Sequence, residues 1–176
     1  VSPQEQFFWK KRREVDIASM ALLRKRQGQF IDRATVKSAI QQKLKTRRWV
    51  SLIGTAGIGK THLALEAGKW WGEQFQAETI FCDATNATDL DSFIQVIGKT
   101  LDISLTVRPK EDLVSELRSK GPFLFFMDNL EQVIKQDSGF IIQLLETVPD
   151  MVLLTTSRIP SESDLEAEVP IPTMSL

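Results

Sequence analysis

The chain lacks the residues that a disulfide framework needs, since Cys82 is the only cysteine in 176 residues. A single cysteine cannot form an intramolecular disulfide, and no metal-ligand spacing surrounds it. Long apolar runs are also absent: the densest, residues 123–127, is far shorter than the roughly 18 residues of a membrane span. The chain opens on Val1 without the residue order of a secretion signal. We therefore expect an excerpt or processed form of a soluble cytoplasmic protein that does not contact membranes.

The net charge of −1 conceals an uneven distribution of charge along the chain. Residues 1–48 contain 13 lysines and arginines and only four acids, whereas the remainder contains nine bases and 19 acids. A basic segment ahead of an acidic body can contact nucleic acid, another part of a larger protein, or its own acidic body. Composition leaves these three alternatives open.

The basic front segment has the sequence features of a helix. Ser2-Pro3-Gln4-Glu5 has the residues of a capping box, and helical spacing of apolar residues continues until about Gly28. Its charge runs favour a connector helix with a solvated face, and a linker to another module or a nucleic-acid contact is the alternative. We therefore divide the chain into a basic helical arm, residues 1–29, and a second domain, residues 30–176.

The second domain alternates short apolar strands with amphipathic helices. Strands are predicted at residues 49–53, 78–82, 122–127, 151–155 and 168–171, and helices at residues 35–46, 60–75, 88–101, 110–119 and 138–147. Thr88 is the expected cap of the third helix, and Pro170 and Pro172 confine the last strand to a sheet edge. Such alternation predicts a three-layer α/β domain with a parallel sheet and helices on both faces.

A glycine-rich loop lies between the first predicted strand and the following helix. Its residues, Gly54-Thr55-Ala56-Gly57-Ile58-Gly59-Lys60-Thr61, satisfy the G-x-x-x-x-G-K-S/T pattern of phosphate-binding loops. Glycines let backbone N–H groups surround a polyphosphate, and the helix N-terminus adds its positive dipole end. We expect Lys60 to bridge the β- and γ-phosphates of ATP and the Thr61 hydroxyl to ligate Mg²⁺. A chance glycine-rich turn is the alternative.

Two later strands end in charged residues. The apolar run at residues 123–127 precedes Asp128, which we predict to hold the Mg²⁺ shell because ligands bind at the carboxyl ends of parallel strands. The alternative is that Asp128 only caps a helix or a turn. The run at residues 153–157 precedes Arg158, which can stabilise the charge of a γ-phosphate or lie on the surface before a loop.

The three motifs together resemble the nucleotide-binding domain of STAND signalling ATPases, kin to NB-ARC domains. They are the segment at residues 54–66, Met127-Asp128-Asn129-Leu130-Glu131, and Leu154-Thr155-Thr156-Ser157-Arg158. The similarity is greatest to the bacterial branch found in LuxR-type and AfsR-like transcriptional regulators, and it spans residues 30–176. It implies a five-stranded P-loop NTPase sheet of order 5-1-4-3-2, with the strand before Arg158 beside the loop strand, so that Arg158 senses the γ-phosphate.

The resemblance also implies an adenine site and an activity. Phe30-Ile31-Asp32-Arg33 matches the family's Phe-x-Gly-Arg element, with Asp in place of Gly, so Phe30, Ile31 and Arg33 are expected adenine contacts. His62 is included among the expected nucleotide contacts, with a surface or packing role as the alternative. The implied cofactors are ATP or ADP with Mg²⁺.

The residue after Asp128 bears on the expected rate of hydrolysis. Vigorous ATPases of this broad class often have Glu there, whereas this chain has Asn129. An amide cannot accept a proton, so general-base catalysis, worth about 10²–10⁴-fold, is reduced unless Glu131 substitutes. A turn residue without a chemical role is the alternative for Asn129. We predict slow Mg²⁺-dependent hydrolysis with Lys60, Asp128, Asn129, Glu131 and Arg158 as the catalytic set.

The implied function is an ATP/ADP switch domain of a signalling or transcription-regulating ATPase. Its expected partners are the nucleotide, other domains of a larger protein that include a helical lid and a winged helix, and further copies through nucleotide-dependent assembly. A DNA-associated AAA+-like ATPase that uses the basic arm, and a nucleotide-binding scaffold without significant hydrolysis, are the alternatives.

Overall fold

The structure is a computed structural model that describes residues 33–173. Its helices are α1 (Arg33–Thr46), α2 (Lys60–Phe75), α3 (Leu90–Thr100), α4 (Pro109–Ser119), α5 (Glu131–Gln136) and α6 (Gly139–Thr147), and its strands are β1 (Trp49–Ile53), β2 (Glu78–Asp83), β3 (Phe123–Asp128), β4 (Met151–Ser157) and β5 (Glu166–Pro170). Within these residues, no helix is both long and apolar enough to cross a membrane. The predicted front helix, the boundary at residue 29, Phe30 and Ile31 lie outside the described residues.

The five strands form one parallel sheet in the order β2-β3-β4-β1-β5. This is the predicted order read from the opposite edge, so the predicted P-loop NTPase fold class is confirmed. Strand β4 lies between β1 and β3, with Ser157 opposite Ile53 and Thr155 opposite Met127. This register brings the residues that follow β1, β3 and β4 to the same edge of the sheet.

Alternate residues of the central strands pack into two apolar cores, one on each face of the sheet. In β3, Phe123 and Phe125 contribute to the core formed with α3 to α6, whereas Leu124 and Phe126 contribute to the core formed with α1 and α2. Every residue of β3 is buried. A strand covered on both faces reads as a continuous apolar run, as this one does.

Several details of the secondary structure differ from the predictions, among them β4, which continues to Ser157, two residues beyond its predicted end. Helix α3 is capped by Asp89, whose carboxylate accepts a hydrogen bond from the Ser92 N–H at 2.8 Å. The predicted Thr88 cap is wrong because Asp89 and Ser92 form the reciprocal capping box. Helix α5 was not predicted, since six residues are too few to show a helical period. Strand β5 begins at Glu166, two residues earlier than predicted, and lies at a sheet edge as expected.

The strand and helix patterns around Cys82 and around the tryptophan pair Trp70-Trp71 predict that these residues lie in the core. Cys82 and Trp71 are fully buried, whereas Trp70 is only partly buried and packs against the edge of the same core as Trp71. Burial raises the pKa of the Cys82 thiol, which favours the protonated, unreactive form of the side chain.

Candidate functional site

The loop at residues 54–59 joins β1 to α2 along a path that requires glycine. Gly57 and Gly59 have φ angles of 78° and 87°, in the left-handed region where other residues are strained. A Cβ atom on Gly54 would lie 2.3 Å from Ile58 Cδ1 and 3.1 Å from the Ile171 carbonyl oxygen. The loop therefore packs closely against itself and against Ile171, which follows β5, while Thr55 and Ala56 at its tip are exposed.

Lys60 is the first residue of α2, and its side chain turns back onto the loop. Its Nζ donates hydrogen bonds to the carbonyl oxygens of Gly54 and Thr55, both at 2.8 Å. Burial lowers the pKa of Lys60, and the negative charge of Glu131 is the main opposing effect. An ammonium group has three N–H donors, so after these two bonds within the described residues one donor remains for a further acceptor. A phosphate oxygen has the charge to fill that position.

Asp128 at the end of β3 lies within a cluster of hydrogen-bond donors. The Thr61 hydroxyl oxygen is 3.0 and 2.9 Å from its two carboxylate oxygens. The Thr156 hydroxyl donates to Oδ1, and Asn129 Nδ2 donates to Oδ2 at 3.3 Å. The structure thus brings together Thr61 and Asp128, the two predicted metal ligands.

The chemistry of this donor set fits Mg²⁺. Magnesium prefers oxygen ligands, and it is usually held by one or two carboxylates, waters and substrate phosphates rather than by a full protein cage. Asp128 supplies one carboxylate and Thr61 one hydroxyl at the foot of the glycine-rich loop. Among the described residues, no cluster of three or more histidines, cysteines or acids could hold a metal ion alone.

Thr156 belongs to this cluster, although it was not among the predicted site residues. Its hydroxyl oxygen accepts a hydrogen bond from the Asn129 N–H at 2.9 Å and donates to Asp128. The side chain of Thr155, by contrast, bonds to Ser51 and Trp49 inside the sheet. The signal in the sequence was the run of three hydroxyl residues that ends an otherwise apolar buried strand.

Asn129 links the end of β3 to the loop after β2. It occupies a left-handed turn with φ 62°, and its Nδ2 donates to the Thr85 hydroxyl at 2.8 Å. The backbone N–H and hydroxyl of Thr85 in turn donate to the Asp83 carboxylate, and these bonds lower the pKa of Asp83. Asn129 therefore adopts the turn conformation of the alternative prediction and also contacts Asp128 directly.

Glu131 and Arg158 form an ion pair near Asp128. Arg158 Nε lies 3.2 Å from Glu131 Oε1, and the Arg158 side chain is 61% exposed whereas that of Glu131 is 14% exposed. The other carboxylate oxygen, Glu131 Oε2, is buried without a hydrogen-bond partner among the described residues. Both residues line a cavity of about 290 Å³, together with Thr85, Asn129, Gln132, Lys135 and Ile159. A larger cavity of about 530 Å³ is lined by α4 and α6 and by none of these groups.

Two other predicted nucleotide contacts lie on the surface. Arg33, at the start of α1, is exposed, so the adenine contacts stay a prediction. His62 is 63% exposed, and its Nε2 lies 3.6 Å from Glu66 Oε1 in the next turn of α2. The surface position of His62 agrees with the alternative given for it.

The sequence is similar to known proteins across most of the described region. The family model of the AAA domain matches residues 41–147. An uncharacterized protein of Mycobacterium tuberculosis is 26% identical over 132 residues, which cover 73% of this chain and 33% of that protein. A candidate HTH-type transcriptional regulator of the same organism is 27% identical over 136 residues, covering 76% of this chain and 15% of the regulator. The chain thus spans about a third or less of these relatives.

The fold is also similar to a solved structure. Cdc6p from Pyrobaculum aerophilum superposes with a TM-score of 0.58 at 12% identity, covering 81% of this chain and 48% of that chain. At this identity the likeness concerns the fold alone. The family match covers more than half of the chain and includes both the glycine-rich loop and Asp128. The chain therefore belongs to the AAA domain family, and its fold is that of the nucleotide-binding P-loop ATPases.

Proposed function

We propose that this chain is the ATP/ADP-binding domain of a STAND-type regulatory switch that hydrolyses ATP slowly. The observation that carries the proposal is the cluster at the carboxyl edge of the sheet, where Thr61 bonds to Asp128 and Lys60 is held against the loop. In this proposal the loop amides and Lys60 bind the β- and γ-phosphates, and Thr61 and Asp128 hold Mg²⁺. A bound Mg²⁺ would neutralise charge on the phosphate oxygens.

Slow hydrolysis follows from the surroundings of the candidate bases. Both N–H donors of the Asn129 amide point to acceptors, Asp128 and Thr85, and an amide cannot take a proton from water. Glu131 is the nearby carboxylate that can accept one, but its Oε1 is paired with Arg158. A carboxylate oxygen that is already paired with a guanidinium group is less available to take a proton from a water molecule. We therefore expect turnover well below that of ATPases with a free glutamate at this site.

The switch role is supported by the size of the relatives and by the name of one of them. The relative named as a candidate HTH-type transcriptional regulator is several times longer than this chain, so other domains of one protein are the expected partners of this domain. A nucleotide shifts a conformational equilibrium only by its differential affinity for the two states. Groups that contact only the γ-phosphate therefore decide whether ATP and ADP select different states, and nucleotide-dependent assembly of several copies is the proposed result.

Calorimetry and turnover measurements test the proposal together. We expect ADP and ATP to bind at millimolar Mg²⁺ and turnover to be slow and indifferent to DNA. Turnover that DNA stimulates, with DNA affinity that falls steeply with salt, would favour the DNA-associated ATPase, for which the basic front segment is the supporting observation. Tight ATP binding without turnover would favour the scaffold, and no binding of either nucleotide would refute all three.

Arg158→Ala is expected to weaken ATP binding about 10- to 100-fold and to change ADP binding less than twofold. The reason is that a hydrogen bond to a charged group is worth roughly 1.5–3 kcal/mol, and in the proposed site only the γ-phosphate receives it. Titration calorimetry with ADP and with a non-hydrolysable ATP analogue measures both affinities. Arg118→Ala, which removes an exposed arginine from α4, is the matched control and should change neither. Equal losses for the two nucleotides would show that Arg158 does not contact the γ-phosphate.

A further inference from the structure

We infer that Glu131 is a positioning residue that holds Arg158 by Nε so that its two terminal amino groups face the γ-phosphate of a bound triphosphate. The inference rests on the proposed function, because it concerns how that site distinguishes ATP from ADP. It makes Glu131 a determinant of triphosphate specificity, which differs from a role as general base.

The atoms that form the ion pair are the first evidence. The 3.2 Å contact joins Glu131 Oε1 to Nε of Arg158, the nitrogen nearest the aliphatic stem. A guanidinium group has five N–H donors, four of them on the terminal nitrogens. A carboxylate bound at Nε leaves those four available, and two of them match a phosphate in a fork geometry.

The difference in exposure is the second evidence. Arg158 is 61% exposed, and an arginine so exposed loses rotamer freedom when a ligand orders it. Glu131 is 14% exposed and begins α5. A contact with this less mobile carboxylate orders the guanidinium before a nucleotide arrives, so less entropy is lost on binding.

Both residues are attached to the same part of the sheet. The backbone N–H of Leu130 donates to the Thr156 carbonyl at 3.0 Å, and the N–H of Asn129 donates to the Thr156 hydroxyl at 2.9 Å. The turn that leads into Glu131 is therefore fixed to β4 two residues before Arg158. This attachment fixes the backbone from which Glu131 extends relative to the end of β4, which Arg158 follows.

The charges of Glu131 and Arg158 make their pairing important for the binding of a triphosphate. Glu131 and Arg158 line the same cavity, which also contains Asn129, the residue that follows Asp128. A free Glu131 carboxylate would repel a triphosphate, whereas one paired with Arg158 contributes little net charge to the site. The pair thus allows an acid close to the phosphate position while keeping a cation directed at the γ-phosphate.

Glu131→Gln and Glu131→Ala together test the inference. Both remove the same negative charge, but only glutamine keeps a side-chain oxygen that can accept a hydrogen bond from Nε. The preference for the triphosphate is the ratio of the ADP dissociation constant to the ATP-analogue dissociation constant. We expect this ratio to be about fivefold lower in the alanine variant than in the glutamine variant, because one ordinary hydrogen bond contributes about that factor. Calorimetry at saturating Mg²⁺ measures both constants, and thermal unfolding checks that both variants are folded.

The outcomes separate the possible roles of Glu131. If the ratio of ADP to ATP-analogue dissociation constants were equal in the two variants, the inference would be overturned. If turnover also fell in both variants, the result would indicate that Glu131 acts only as a base. A higher preference for the triphosphate in the alanine variant than in the glutamine variant would also overturn the inference. It would show that a hydrogen-bond acceptor at position 131 competes with the phosphate for Arg158.

Arg158 supplies a second, independent measurement. When Arg158→Ala is combined with each Glu131 variant, the two double variants should have the same ratio of ADP to ATP-analogue dissociation constants, as expected for residues that act as one unit. Arg158→Lys keeps the charge but lacks the fork, so it should lose most of the preference for the triphosphate even if Glu131→Ala does not fold. Persistence of the full preference in Arg158→Lys would contradict the inference. Failure of the unmodified chain to bind either nucleotide would instead refute the proposed function.

Discussion

Lys60→Ala is expected to weaken the binding of both ADP and ATP by about 10- to 100-fold, the effect of removing a charge-assisted contact worth roughly 1.5–3 kcal/mol. In the proposed site Lys60 bridges the β- and γ-phosphates, and the β-phosphate is common to both nucleotides. The ammonium is already held against the loop by two carbonyl oxygens, so little reorganisation is needed when a phosphate arrives. Calorimetric titration at millimolar Mg²⁺ measures the two affinities.

The control for this variant must separate loss of a phosphate contact from damage to the loop. Lys69→Ala removes an exposed lysine from the same helix and should leave both affinities unchanged. Lys60→Ala also removes two hydrogen bonds to loop carbonyls, which corresponds to about 1–3 kcal/mol of stability if nothing replaces them. Thermal unfolding of both variants without nucleotide measures this loss of folding stability. Unchanged ADP affinity in a folded Lys60→Ala variant would contradict the phosphate assignment.

The sheet and the loop could be predicted from the sequence because their signals are local. Residues 123–127 are apolar without interruption, which occurs when a strand is covered on both faces. The glycines at positions 57 and 59 have the positive φ angles that a phosphate-binding loop requires. The sheet order came from the resemblance of three motifs, and the topology confirms it.

The contacts that complete the candidate site could not be predicted, since they join residues distant in sequence. The bond from Asn129 to Thr85 spans 44 positions, and the bond from Asn129 to Thr156 spans 27. Such pairs depend on the strand register and on side-chain rotamers, which residue types alone do not specify. Thr156 illustrates the problem: only the register shows that it, and not Thr155, reaches Asp128.

Asp128→Asn is expected to abolish the dependence of ATP binding on Mg²⁺ and to lower turnover by about 10²-fold or more, because a metal ion contributes several kcal/mol of charge stabilisation to such reactions. An amide oxygen is a neutral and weaker ligand than a carboxylate, so the variant should bind ATP with the same affinity at millimolar Mg²⁺ as in excess chelator. Calorimetry under both conditions, together with phosphate release, measures the effect.

The asparagine variant is preferable to alanine because of the donors around Asp128. The hydroxyls of Thr61 and Thr156 both donate to this carboxylate, which is only 4% exposed. Alanine would leave both hydroxyls without this acceptor, at about 1–3 kcal/mol each, whereas hydroxyls can rotate to pair with an amide. Asp102→Asn makes the same chemical change at an exposed turn after α3 and should leave the Mg²⁺ dependence intact. If Asp128→Asn retained that dependence, the metal would have to be held elsewhere, and the pairing of Thr61 with Asp128 would be structural only.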